Sequence, residues 1–269
     1  MEFRTVVNIE RPAFLIEPLE EVLFVGSCFA ESIGQRFAEE HFSVVVNPFG
    51  VMYNPASVLH TVQRTEASPR VAFLTLGTNH VYRLRSTGEI VDNCQKRPQS
   101  LFSEEQLSVE ECVGYLSQAV DVLVSRNPAV QVVLTVSPIR YAKYGFHGSQ
   151  LSKAVLLLAT DELARKYPDV VTYFPAYEIV NDELRDYRFY APDMLHPSEQ
   201  AVEYIWQVFS EHFFSDRAKQ FLRDWRPIKD ALNHRPFHPD SDDYQLFLAQ
   251  TKEREQRLLD AYSSPPLQS

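Results

Sequence analysis

The sequence predicts a three-layer α/β/α fold built on a mostly parallel sheet. Strand-like and helix-like segments alternate along the chain, the pattern left by βαβ units. The strand-like runs are apolar throughout and show no period of two, as strands covered on both faces require. With 269 residues, 45% of them hydrophobic, the chain can bury a substantial core in one main domain.

Taken in order, "EVLFVG" (Glu21 to Gly26) reads as a short buried strand. "SCFAESIGQRFAEE" follows it with helical spacing through Phe29, Ile33 and Phe37. "FSVVVNPFG" ends a second strand at Asn47-Pro48, and "RVAFLTLGTNH" is a third. "VYRLRSTGEIVDNCQ" reads as a hairpin turning at Ser86 to Gly88. In "SVEECVGYLSQAVDVLVSRNP", Ser108 and Glu111 make a capping box. Its apolar face runs through Val109, Val113, Leu116, Val120 and Leu123, so this is a helix. "AVQVVLTVSP" is a continuous apolar strand closed by Pro138, and "SQLSKAVLLLATDELARKYP" is a second long helix. The strand "VVTYFPAY" comes next, then a helix in "HPSEQAVEYIWQVFSEHFF" that starts near Pro197 or Ser198.

After Trp225 the composition changes, which divides the chain into a main domain, 1–225, and an extension, 226–269. "RPIKDALNHRPFHPDSDD" reads as a connector rich in Pro, His and Asp. "YQLFLAQTKEREQRLLDAY" reads as a charged helix with Phe247, Leu248, Leu258 and Leu259 towards one side. That side either packs on the domain or forms a homodimer. The final "SSPPLQS" reads as disordered.

Composition excludes several function classes. The net charge is −10, from 36 acidic and 26 basic residues, so neither nucleic acid nor an anionic membrane surface is an expected partner. Cys28, Cys94 and Cys112 are odd in number and widely spaced, which suits a reducing compartment better than a disulfide framework. The first residues lack the basic start and apolar core of a signal peptide, and no run approaches 18 apolar residues. A cytoplasmic protein without membrane insertion is the expectation. The G-x-S-x-G elbow, the G-x-x-x-x-G-K-[ST] phosphate loop, G-x-G-x-x-G and H-E-x-x-H are all missing from the sequence. No Cys pair has zinc-finger spacing, so neither a metal nor an organic cofactor is expected.

What remains is a set of polar residues at strand ends, where open parallel sheets hold their ligands. Gly26-Ser27-Cys28 follows the first strand and Asn47 to Gly50 the second. Gly77-Thr78-Asn79 follows the third, and "APDMLHPSE" precedes a helix. Asp193 and His196, three apart, can meet in one loop, the carboxylate orienting the imidazole and stabilising its protonated form. A D-x-x-H alone serves as readily to cap a turn.

The order nucleophile, Gly, G-x-N, D-x-x-H resembles the blocks of the SGNH/GDSL hydrolase superfamily, whose fold is flavodoxin-like. More narrowly, "GSCFA" at Gly26 to Ala30 is similar to the signature of the GSCFA domain family. "VNPFGVMYNP", "TLGTNHVYR", "NCQK", "TVSPIRY", "SKAVLLLA" and "RDYRFYAPDMLHPSE" resemble that family too, over about residues 5–215. The resemblance implies a hydrolase of the esterase type, or an acyltransferase, acting on a small-molecule or acylated substrate. It implies Gly50 as an oxyanion-hole backbone donor and Asn79 as a side-chain donor. It also implies Asp193 as orienter and His196 as general base. Ser27 falls on the usual Asp of the first block and Cys28 on the usual nucleophilic Ser, a departure from the superfamily.

At the first turn of a helix, Cys28 would sit beside unpaired N–H groups that favour a thiolate. Ser27 is placed to cap that helix. The nucleophile is thus Cys28 or, failing it, Ser27, with the Cys28 N–H a third oxyanion donor. Arg83, Asn93, Lys96, Arg140 and Lys153 are weaker candidates for an anionic substrate and otherwise solvated surface residues. Cys94 is either a second reactive thiol or a buried structural one, and Cys112 packs inside its helix. The rival function is a non-catalytic binding or scaffolding protein on a degenerate form of the fold.

Overall fold

A computed structural model describes residues 3–263; of the final segment read as disordered, Ser263 ends the last helix and residues 264–269 fall outside the described residues. Five parallel strands form the main sheet: β1 (Glu21–Gly26), β2 (Ser43–Val46), β3 (Val71–Leu76), β7 (Gln131–Val136) and β8 (Val171–Tyr173). Their spatial order is β2-β1-β3-β7-β8. Numbered among themselves the strands run 2-1-3-4-5, the flavodoxin-like order, whose crevice opens at the carboxyl ends of the strands. Between β3 and β7 the chain inserts a small antiparallel sheet, β5-β4-β6, made of β4 (His80–Leu84), β5 (Ile90–Val91) and β6 (Phe102–Gln106).

Helices cover both faces of the main sheet. Helices α2 (Pro55–Arg64), α3 (Val109–Arg126) and α4 (Gly145–Lys166) close one face over an aliphatic cluster that includes Leu23, Val25, Leu74, Leu116 and Leu134. Helices α1 (Cys28–Glu39) and α6 (Glu199–Phe213) close the other over a largely aromatic cluster. There Phe24 stacks on Phe73 at 4.7 Å, and Phe37 meets Trp206 edge-on at 5.0 Å. The capping box of Ser108 and Glu111 opens α3, and Ser198 caps α6 through a hydrogen bond from the Ala201 N–H. After β8 a short turn, α5 (Ala176–Glu178), runs into a π-helical turn over Ile179–Leu184.

Four elements depart from the sequence reading. Helix α2 starts at Pro55, whose ring suits a first helical position, and Asn54 caps it by accepting from the Ser57 N–H. Strand β6 is a polar edge strand in which Phe102 alone is buried, so no apolar run marks it. Helix α4 begins at Gly145, four residues before Ser149. Helix α7 (Asp216–Leu232) runs through Pro227 and takes up residues 226–232, which read as connector. Phe221, Trp225 and Ile228 recur at helical spacing and bury one face of α7, which outweighs the proline's lost hydrogen bond.

The last helix, α8 (Asp242–Ser263), packs Leu258, Leu259 and Tyr262 on that α7 cluster. Leu258 and Leu259 of its apolar side therefore have an occupant within the chain, while Phe247 stays 39% exposed. Among the described residues no helix is long and apolar enough to cross a membrane.

Candidate active site

The turn between β1 and α1 is fixed by the core. Gly26 has φ +146°, and a Cβ there would stand 2.1 Å from the Thr75 carbonyl oxygen. Only glycine lets β1 pass so close to β3. The Gly26 N–H donates to Asn47 Oδ1 at 2.9 Å. Ser27 is fully buried; its N–H donates to Thr75 Oγ1 at 3.0 Å, and its Oγ shares a 3.1 Å hydrogen bond with the same hydroxyl. The Ser27 Oγ also accepts from the Phe29 N–H at 3.3 Å, which caps α1. A hydroxyl so placed does the work of a cap.

Cys28 is the first residue of α1 and is half-buried. Its Sγ lies 3.8 Å from the Tyr53 hydroxyl. Among the described residues its own N–H has no hydrogen-bond partner, as is usual in the first turn of a helix. Tyr53 is held by its backbone: its carbonyl accepts the Gly77 and Thr78 N–H groups, both at 2.8 Å, while the Met52 N–H donates to the Gly26 carbonyl at 2.8 Å. Burial, with the neighbouring Cys28 adding to it, pushes the Tyr53 hydroxyl up to about 12. The protonated Tyr53 hydroxyl can donate to the sulfur. Tyr141 meets Tyr53 edge-on at 6.1 Å, and its hydroxyl is buried with no hydrogen-bond partner among the described residues. Burial first, then Tyr53 and Cys28, raise Tyr141 as well.

The loop before α6 is fixed by its own bonds. Asp193 Oδ1 accepts the N–H groups of Leu195 at 2.9 Å and His196 at 3.0 Å, and Oδ2 meets His196 Nδ1 at 2.6 Å. Those two N–H bonds, with the imidazole contributing, hold the Asp193 carboxyl down at about 2. A carboxylate there makes Nδ1 the protonated nitrogen and leaves Nε2 as acceptor. Arg140 fastens the loop to the end of β7: its N–H donates to the Leu195 carbonyl at 3.0 Å and Nη1 to the Met194 carbonyl at 2.9 Å. His196 and Cys28 occupy the same end of the sheet and are not hydrogen-bonded to each other in this state. Contacts of this kind commonly tighten only when substrate binds.

The two expected oxyanion donors are engaged elsewhere. The Gly50 N–H closes a turn onto the Asn47 carbonyl at 2.8 Å. Asn79 is buried, and its Nδ2 donates to the Leu107 carbonyl at 2.8 Å, tying β3's end to the small sheet. Arg83 pairs with Glu105 at 2.7 Å on that sheet, and Arg140 serves the loop; neither lines the cavity beside Tyr53.

Asn93 and Lys96 do line it, together with Tyr53, Asp92, Tyr144 and the half-buried Cys94; the cavity measures about 620 Å³. Cys94 is therefore not a core cysteine, whereas Cys112 is, with burial pushing its thiol up to about 12. Lys153 is fully buried rather than solvated, and its Nζ donates to the carbonyls of Gly77 at 2.7 Å and Ser137 at 2.6 Å. Burial brings it down to about 7, and a neutral amine still has the two N–H bonds those carbonyls need. Among the described residues no group of three or more His, Cys, Asp or Glu is placed to hold a metal ion.

Sequence reasoning passed over Tyr53 and Tyr141. The signal available was their position: each lies a few residues beyond a strand end, inside the segments "VNPFGVMYNP" and "TVSPIRY".

Comparison with known families decides the relationship. The profile of the GSCFA family matches residues 21–71 and 61–209. The chain belongs to the GSCFA family. The profile described as the GSCFA domain protein, C-terminal domain, matches residues 225–268, which span the end of α7 and α8. Curated protein sequences gave no match.

Solved structures similar to this GSCFA chain include a GDSL-like lipase from Bacteroides thetaiotaomicron, at 12% identity and TM-score 0.47, covering 73% of this chain and 90% of that one. An acetylxylan esterase from Geobacillus stearothermophilus, a catalytic mutant, is 14% identical with TM-score 0.46, over 74% and 97%. A carbohydrate esterase family 3 protein from Talaromyces cellulolyticus is 12% identical with TM-score 0.43, over 76% and 99%.

Proposed function

We propose that this protein is an acyl hydrolase or acyltransferase that attacks an ester or thioester through Cys28, with His196 as base and Asp193 as orienter. The observation that carries the reading is the division of labour between neighbours. Ser27 is sealed in the core as a helix cap, while Cys28 stands half-open at the helix start beside a free N–H and a tyrosine hydroxyl. His196, its Nδ1 proton held by Asp193, offers Nε2 to take the thiol proton. The thiolate adds to the carbonyl carbon, and the imidazolium returns the proton to the leaving group. Water, or an acceptor hydroxyl or thiol, then releases the acyl group from Cys28. The cavity beside Tyr53 is the proposed seat of the substrate. A cytoplasmic setting suits a free, reactive thiol.

Incubation with p-nitrophenyl acetate and intact-mass measurement tests this. The expected result is an acetyl adduct on Cys28 that Cys28→Ala abolishes and Ser27→Ala retains. Iodoacetamide should alkylate Cys28 near neutral pH, and more slowly in His196→Ala. An adduct that persists in Cys28→Ala and vanishes in Ser27→Ala would move the nucleophile back one residue.

A non-catalytic binding role is the second reading. It is favoured by the engagement of both Gly50 and Asn79 with other partners. An unreactive Cys28 and untouched esters would establish it.

A further inference from the structure

Acyl transfer at Cys28 needs donors for the negative charge that develops on the carbonyl oxygen, and the donors expected from sequence have other work. The Gly50 N–H closes its own turn, and Asn79 Nδ2 gives one of its two N–H groups to Leu107. The two N–H groups that follow β3, those of Gly77 and Thr78, both point at the Tyr53 carbonyl. Freeing any of them would cost a buried hydrogen bond that the site's own frame uses. Around Cys28 three groups lack that commitment. One is the Cys28 N–H at the start of α1. The second is the Tyr53 hydroxyl, whose one hydrogen bond among the described residues is the 3.8 Å contact to Sγ. The third is the Tyr141 hydroxyl, buried and without a partner among the described residues.

Resting on the acyl-transfer reading above, we infer that the oxyanion is held by the hydroxyls of Tyr53 and Tyr141 with the Cys28 N–H, in place of Gly50 and Asn79. The geometry fits the role. A hydroxyl 3.8 Å from sulfur is a weak partner for the sulfur itself. It is better spaced for an oxygen one carbon away, since oxyanion donors act at about 2.7–3.1 Å from the developing charge. Tyr141 is positioned from below. Its hydroxyl packs over Gly77, where a Cβ would come within 2.2 Å of it, and its ring lies 5.2 Å from Lys153 Nζ. Its unpaired buried hydroxyl costs stability in the resting protein unless an acceptor arrives.

In the reaction Sγ bonds to the carbonyl carbon as the C=O π pair moves onto oxygen. The two hydroxyls and the N–H donate hydrogen bonds to that oxygen and keep their protons. When the pair returns, the bond to the leaving group breaks, and the leaving group takes the imidazolium proton. Burial holds both tyrosines protonated across the physiological range.

The test is Tyr141→Phe and Tyr53→Phe, measured for p-nitrophenyl acetate turnover and for Cys28 alkylation by iodoacetamide, which forms no oxyanion. Each variant is expected to lose about 10²-fold in kcat with KM little changed, as loss of one such donor does. Tyr141→Phe should keep the wild-type alkylation rate and, having lost only an unpartnered hydroxyl, a melting temperature no lower than wild type. Wild-type turnover that both Phe variants retain overturns the tyrosine donors and leaves Cys28 as nucleophile. No turnover and no acyl adduct in the wild-type protein overturns the nucleophile, and the donors with it.

Discussion

The β1–α1 turn and the 191–198 loop bring the two halves of the proposed chemistry to one end of the sheet by opposite means. In the turn the main constraints beyond the local cap come from distant chain: Gly26 bonds Asn47, Ser27 bonds Thr75, and Cys28 meets Tyr53. In the loop the main constraints are local. Asp193 binds residues two and three positions on, and the Ala191 N–H donates to the His196 carbonyl at 2.7 Å. The nucleophile is thereby tied to the integrity of the whole sheet. The base depends on a short exposed loop, its Asp and His side chains 45% and 44% exposed, with Arg140 as its anchor to β7. Damage to the core should reach Cys28 first, and damage to the loop should stay in the loop.

Substitutions that break the core side are expected to have the largest effects. Gly26→Ala drives a Cβ into the Thr75 backbone and should cost about 3 kcal/mol or more in urea unfolding. Lys153→Met leaves the Gly77 and Ser137 carbonyls without their donor and should cost about 2 kcal/mol. It should also flatten a pH slope. Lys153 is held at about 7 in the folded protein, against about 10.4 in an unfolded chain, so between those values the unfolded state binds more protons. Stability should therefore rise from about pH 7 to about pH 10 in the wild type, and less so in Lys153→Met, as read by chemical denaturation.

Ser27→Ala removes the cap of α1 and should cost about 1 kcal/mol while leaving Cys28 alkylation in place.

The loop side is sharpened by Asp193→Asn. The folded carboxyl sits near 2, below its ordinary value of about 3.9, so its contribution is present above pH 4 and lost as pH falls towards 2. Melting temperatures between pH 4 and 2 should fall less steeply in the variant. Near pH 7 the variant should melt within a few degrees of wild type yet lose the His196 dependence of Cys28 alkylation. A collapse of the whole fold in Asp193→Asn would show that the loop is not the self-contained unit its hydrogen bonds describe.

How much was legible in the sequence follows the same divide between local and distant. The apolar runs of β1, β3 and β7 announce strands buried on both faces, and the capping box of α3 is a four-residue pattern. Ser27 as cap and the Asp193–His196 contact are likewise settled within three residues. The destination of the Asn79 amide is not. Motif order lines Gly50 and Asn79 up with a donor role, but the inserted sheet puts the Leu107 carbonyl against Asn79, and a tight turn that motif order does not reveal gives the Gly50 N–H to Asn47. Lys153 read as a surface residue because a lysine in a helix usually is one. Two strand-end carbonyls without another donor give it a reason to be inside. Helix α7 was hidden by Pro227, whose local penalty is outweighed by contacts with a helix about 30 residues further on.

Helix α1 is an axle with a bearing at each end. Its 12 residues span about 18 Å. Cys28 turns at one end, and at the other the C-terminal hairpin grips the shaft. The Trp225 Nε1–H donates to the Glu39 carbonyl at 3.2 Å, Lys229 reaches Glu40 at 2.7 Å, and Glu255 meets His41 at 3.0 Å. The extension lies a helix length away from Cys28 and still limits how α1 can tilt beneath it, because a rod fixed at one end can pivot and a rod fixed at both cannot.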